Sequence, residues 1–183
     1  MKWTLPNKLT TARMIMVPFV AALLLYDDGE SFAFRAAALV LFIIASITDW
    51  LDGMIARKYN LVTNYGKFMD PLADKLLVCS TLICFIELEQ LPAWIVILII
   101  AREFIISGFR LVAADQGIVI AASMWGKAKT VSQMVCIILL FLKADEGPAE
   151  VLTKAAVLVM TALTVISLAD YLVKNRGVLV EKD

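Results

Sequence analysis

The stretch DWLDGMIARKYNLVTNYGKFMDPLAD, residues 49–74, carries four carboxylates, Asp49, Asp52, Asp70 and Asp74, with apolar runs close on both sides. On a helix, Asp49, Asp52, Gly53 and Ala56 fall at i, i+3, i+4 and i+7 and share one face. Gly66, Asp70 and Asp74 fall at i, i+4 and i+8 and again share a face. Two helices presenting these faces to each other bring the four acids together. Gly53, Ala56 and Gly66 leave room beside them for a ligand.

The chain around this stretch is oily. It has 183 residues, 61% of them hydrophobic, and a mean hydropathy of +0.84, whereas soluble domains are roughly 45–50% apolar. Six uncharged runs, Met14–Tyr26, Ala36–Thr48, Leu76–Ile86, Gln90–Ala101, Thr130–Leu142 and Ala155–Ala169, are 11 to 15 residues long. Each falls short of the roughly 20 residues that cross a bilayer, so buried helices of a soluble fold are the competing reading. The composition favours spans whose ends carry charged groups. The second helix is then predicted from about Phe32 to Lys58, the third from Gly66 to Glu87 and the fourth from Leu91 to Ala114. No strand-like alternation, internal repeat or linker interrupts this pattern. The expected fold is all-α: a single polytopic membrane domain, residues 1–183, with six transmembrane helices and an N-terminal juxtamembrane segment. Lys2, Lys8 and Arg13 precede the first apolar run, but no persuasive small-residue cleavage site follows it. A retained first helix is expected rather than a signal peptide, with Pro18 able to kink it.

Charge placement sets the orientation. Asp27–Arg35, Glu87–Gln90 and Lys143–Lys154 hold three bases, Arg35, Lys143 and Lys154; the other fourteen lie in the opposite set of connections and the termini. The positive-inside rule then puts both termini in the cytoplasm. Asp49, Asp52, Arg57, Asp70, Asp74, Lys75, Arg102, Glu103, Arg110, Lys127 and Lys129 all fall at cytoplasmic helix ends. They are expected to converge on a polar cavity open to lipid and cytosol. Seventeen basic residues balance seventeen acidic ones, which argues against nucleic-acid binding. Cys79, Cys84 and Cys136 lie in apolar runs and read as small hydrophobes. There is no histidine, which removes the commonest general base and zinc ligand.

Four uncompensated negative charges at membrane depth are costly. Hard oxygen ligands without His or Cys select Mg²⁺, Mn²⁺ or Ca²⁺. Two such ions can clamp a diphosphate. Salt bridges to Arg57, Lys58, Lys67 and Lys75 are the structural alternative, and a cation or proton transporter is the alternative function. Small residues beside the acids, with many bases on the same side, suit a bulky anion better than a bare ion.

The pattern Asp-x-x-Asp-Gly-x-x-Ala-Arg, eight residues, Gly-x-x-x-Asp-x-x-x-Asp is met without a gap by Asp49, Asp52, Gly53, Ala56, Arg57, Gly66, Asp70 and Asp74. It resembles the signature of the CDP-alcohol phosphotransferase family. The resemblance implies a homodimeric six-helix enzyme of the bacterial cytoplasmic membrane, with its active site facing the cytoplasm. It implies two divalent cations, Mg²⁺ or Mn²⁺, on Asp49, Asp52, Asp70 and Asp74, and Asp74 as the catalytic base. It places Gly53, Ala56, Arg57, Gly66 and Asp70 at a CDP-diacylglycerol donor.

Arg102, Arg110, Lys127 and Lys129 are four bases at the inner ends of helices four and five, which suggests a phosphate-bearing acceptor. Topology and lipid head groups are the alternative use of such bases. PNKLTTARMIMVP at residues 6–18, AREFIISGFR at 101–110 and GKAKTVSQ at 126–133 resemble the family branch whose acceptor is sn-glycerol 3-phosphate. Inositol phosphate, serine and phosphatidylglycerol are alternative acceptors within the family. Asn7 and Thr10 read either as caps of the opening helix or as ligand contacts, and Arg13 and Lys75 are further candidates. Glu103 reads as a structural partner of an arginine.

Overall fold

A computed structural model describes residues 4–58, 63–115, 117, 118, 120, 121, 123–143 and 147–176, with the side chains at 50, 52, 53, 56–58, 64, 65, 67, 68 and 115 excepted. The described residues form six α-helices and no strand: α1 (Leu5–Leu25), α2 (Phe32–Lys58), α3 (Asn64–Glu87), α4 (Ala93–Asp115), α5 (Met124–Phe141) and α6 (Gly147–Asn175), with a 3₁₀ turn at Tyr26–Gly29. α2 has its predicted limits. α3 begins two residues before the predicted Gly66, because Thr63 caps it by accepting the Gly66 N–H. α4 begins after Pro92, whose ring disfavours helical geometry at the preceding Leu91. α1 continues through Pro18 as one helix.

Four segments among the described residues are long and apolar enough to cross a membrane: Leu5–Gly29, Phe32–Asp49, Met124–Phe141 and Gly147–Asn175. α3 and α4 are comparably long, but charged residues interrupt them. Phe19, Ile97, Phe104, Leu111 and Leu158 are each more than half exposed, while Arg13 and Lys129 are buried. Apolar outside and polar inside is the arrangement that a hydrocarbon solvent favours.

The helices fall into two compact units, Met1–Leu91 and Pro92–Asp183. In the first, α1 packs against both α2 and α3. Its buried stripe is Asn7, Thr10 and Arg13 near the start, then Val17, Val20 and Leu24. These meet Ala38, Phe42 and Ala45 of α2, and Ala73, Leu77 and Phe85 of α3, all buried at helical spacing. In the second unit, α6 packs against α4 and α5. Met160, Thr164, Ser167 and Tyr171 form the buried face of α6.

Arginine hydrogen bonds tie the turn after α1 to the connection after α3. Arg35, buried at the start of α2, donates from Nη1 to the Gly29 carbonyl at 3.2 Å and from Nη2 to Gln90 Oε1 at 3.4 Å. Gly29 has φ +69°, and a Cβ there would sit 3.0 Å from Leu88 and 3.1 Å from Arg35 Nη1. Left-handed backbone costs a non-glycine residue about 1–2 kcal/mol. Gly29→Ala is therefore expected to destabilise the protein by at least that amount, measured as a lower thermal midpoint in detergent.

Candidate active site

The site is built from the first three turns of α1. Asn7 and Thr10 lie inside the helix, and the N-cap position is Thr4. Of the two readings open for them, the N-cap position is therefore not theirs: their side chains reach Thr63 and Asp70. Asn7 Oδ1 accepts a hydrogen bond from Thr63 Oγ1 at 2.8 Å, and Thr63 Oγ1 in turn accepts the Gly66 N–H at 3.0 Å. One hydroxyl thus ties α1 to the first turn of α3, donating once and accepting once. Thr10 Oγ1 donates to Asp70 Oδ1 at 2.6 Å. Arg13 Nη1 pairs with Asp49 Oδ1 at the far end of α2.

These bonds tie two acids of the stretch, Asp49 and Asp70, to neighbouring positions of one helix. Thr10 and Arg13 are i and i+3 on α1, adjacent on its surface, and each holds one carboxylate by its Oδ1. Asp49 keeps 39% of its side chain exposed although Arg13 is fully buried. Asp70 Oδ2 faces the hydrogen-only side of Gly66: a Cβ on Gly66 would lie 3.4 Å from Asp70 Oδ2, Asn7 Oδ1 and Thr63 Oγ1 alike. These oxygens are hard donors, the kind that Mg²⁺ or Mn²⁺ takes and a thiophilic metal does not, but among the described residues no three Asp, Glu or Cys side chains are grouped to hold a metal ion. Asp74 and Lys75 are partly buried one turn further along α3. Asp52, Gly53, Ala56 and Arg57 belong to α2, but their side chains lie outside the described residues. Thr63 was not foreseen as part of this cluster. Its signal is the T-x-x-G spacing ahead of Gly66, which marks an N-cap.

The predicted acceptor bases divide into two kinds. Arg102 and Lys129 are buried and share one oxygen of Glu103: Arg102 Nη1 donates to Oε1 at 2.9 Å and Lys129 Nζ at 2.5 Å. Glu103 is thus the structural partner expected of it. Arg102 Nε also donates to Ser167 Oγ on α6 at 3.2 Å, and Lys129 pairs with Gln133 Oε1. A Cβ on Gly126 would lie 3.5 Å from Arg102 Nη2, an ordinary contact, so the guanidinium packs close beside this turn of α5. Arg110 and Lys127 are exposed. Ser167 and Gln133 enter this network without a motif of their own in the sequence.

A family model described as CDP-alcohol phosphatidyltransferase matches residues 3–170. The chain belongs to the CDP-alcohol phosphatidyltransferase family. Members of the CDP-alcohol phosphatidyltransferase family are transferases of phospholipid biosynthesis, in keeping with the apolar helices. The chain is 45% identical to the CDP-diacylglycerol–glycerol-3-phosphate 3-phosphatidyltransferase of Bacillus subtilis, over 94% of this chain and 95% of that protein. It is 43% identical to a probable phosphatidylglycerophosphate synthase of Mycobacterium tuberculosis, over 93% of this chain and 80% of the other. A Haemophilus influenzae protein named like the first is 37% identical, over 99% and 98%.

The shared Glu103 carboxylate gives a stability prediction. Removing one partner of a buried ion pair costs about 3–5 kcal/mol, because charge is left without compensation. Glu103→Leu is expected to lower the thermal midpoint sharply, near the lower end of that range since Glu103 is partly exposed. Glu103→Gln is expected to fall between, and thermal unfolding in detergent reads both.

Proposed function

We propose that this enzyme transfers the phosphatidyl group of CDP-diacylglycerol to sn-glycerol 3-phosphate, giving phosphatidylglycerophosphate and CMP. The observation that carries the reading is the ungapped signature from Asp49 to Asp74, two of whose acids, Asp49 and Asp70, are held by Arg13 and Thr10 of α1. The names of relatives covering nearly the whole chain support the same donor and acceptor.

Asp49, Asp52, Asp70 and Asp74 would hold two divalent cations, Mg²⁺ or Mn²⁺, which supply positive charge to the donor diphosphate. Gly53, Ala56 and Gly66 leave space for the CMP moiety, and Arg57 reaches the diphosphate. Asp74 takes the proton from the primary hydroxyl of glycerol 3-phosphate. That oxygen attacks the phosphorus bonded to diacylglycerol, the phosphoanhydride P–O bond breaks, and its electron pair leaves with CMP. The exposed Arg110 and Lys127 contact the acceptor phosphate, and Arg102 and Lys129 add positive charge from the Glu103 network. The chain acts as one domain, residues 1–183, with six spans, both termini and the active site on the cytoplasmic side of a bacterial membrane, and as a homodimer.

The direct test is CMP release by purified protein given CDP-diacylglycerol with each acceptor in turn. Release with glycerol 3-phosphate and Mg²⁺ or Mn²⁺ is expected. Release only with inositol phosphate, serine or phosphatidylglycerol would reassign the acceptor. No release, with cation flux in liposomes, would make the chain a transporter.

Two variants refine the roles. Asp74→Asn is expected to lower kcat by about 10²–10⁴-fold while donor binding persists. Arg110→Ala is expected to raise the KM for glycerol 3-phosphate by about tenfold or more, the worth of one charge-assisted hydrogen bond, with the KM for donor little changed.

A further inference from the structure

We infer that Thr10 is a positioning residue, whose hydroxyl fixes Asp70 by Oδ1 and so presents Oδ2 to a divalent cation. The inference rests on the metal-dependent reading above and deepens it. Thr10 is 0% exposed, so it acts through Asp70 and not by meeting a substrate. Its hydroxyl has one proton and two acceptors in reach, Asp70 Oδ1 at 2.6 Å and the Pro6 carbonyl at 3.1 Å. The shorter bond is the one to a charged acceptor, and charge-assisted bonds are the stronger. The proton therefore goes to the carboxylate.

The tie is stiff at both ends. Thr is β-branched, and its χ1 is restricted within a helix. The Asn7–Thr63–Gly66 chain of hydrogen bonds pins the start of α3 to the same face of α1. α1 therefore grips α3 twice, at Thr63 and at Asp70, about two turns apart. Asp70 is thereby held by one oxygen, Oδ1, and the oxygen left over, Oδ2, lies beside Gly66, where no side chain crowds it. Groups that orient a metal ligand are worth about 10–100-fold in metal affinity.

The experiment is Mn²⁺ titration of the full-length protein in detergent, followed by electron paramagnetic resonance of the free ion, without substrate. Thr10→Val keeps the shape and removes the donor. It is expected to raise the Mn²⁺ Kd about tenfold, while the metal-free elution volume stays at the wild-type value and the thermal midpoint falls only by what one lost hydrogen bond costs. Thr10→Ser restores the donor and is expected to recover most of the affinity. In turnover assays T10V should need more Mn²⁺ for half-maximal rate, with the KM for glycerol 3-phosphate unchanged. Should T10V not fold, Thr10→Ala removes the same donor with less bulk to place. Wild-type affinity in whichever donor-less variant folds would overturn the inference, as would a Thr10→Ser variant as weak as that variant, or a wild type that binds no Mn²⁺. A wild type that binds Mn²⁺ more tightly than T10V yet releases no CMP would leave the positioning role standing and refute the proposed reaction.

Discussion

A carboxylate surrounded by hydrocarbon needs a proton donor or a cation close by, and this one requirement organises the first half of the chain. The answer is a polar stripe on α1. Asn7, Thr10 and Arg13 are buried where a membrane helix would ordinarily place leucine or alanine. Each meets a polar group of a neighbouring helix: Thr63, Asp70 and Asp49 respectively. The later turns of the same helix bury Val17, Val20 and Leu24. One helix thus changes from polar clamp to apolar packing along its length. The change coincides with the passage from the acidic end of the unit to its hydrophobic core.

The second unit solves the same problem with its own acid. Glu103 lies between two buried cations, and Arg102 extends the network to α6 through Ser167. A buried ion pair is not in itself strong evidence of stability, because desolvation offsets much of the attraction. What it does secure is geometry. α4 is joined to α5 and α6 by directional bonds at points where apolar side chains would permit sliding. Arg110 and Lys127 stay exposed, outside this network.

Helix positions were largely legible, because apolar runs and charged boundaries determine them. The Phe32–Lys58 limits of α2 follow from that pattern alone. The acidic signature was legible because its spacing matches helical periodicity. The clamp on α1 was not. Asn7 and Thr10 near a helix start look like caps, and only tertiary packing reveals that their side chains also meet Thr63 and Asp70. Thr63 was hidden for a related reason: it looks like loop until Gly66 is recognised as its partner. The four bases Arg102, Arg110, Lys127 and Lys129 look alike in sequence. Burial separates Arg102 and Lys129 from Arg110 and Lys127, and burial depends on which face each helix turns inward.

The stripe on α1 also bears on how the protein is made. Synthesis runs from the N-terminus, so α1 leaves the ribosome before Asp49, Thr63 or Asp70 exists. An arginine at bilayer depth without its partner is expensive. The nascent α1 is therefore best accommodated in the head-group region until the α2–α3 hairpin arrives to receive it. Insertion of the first helix and its docking onto α2 and α3 then become a single event in biogenesis.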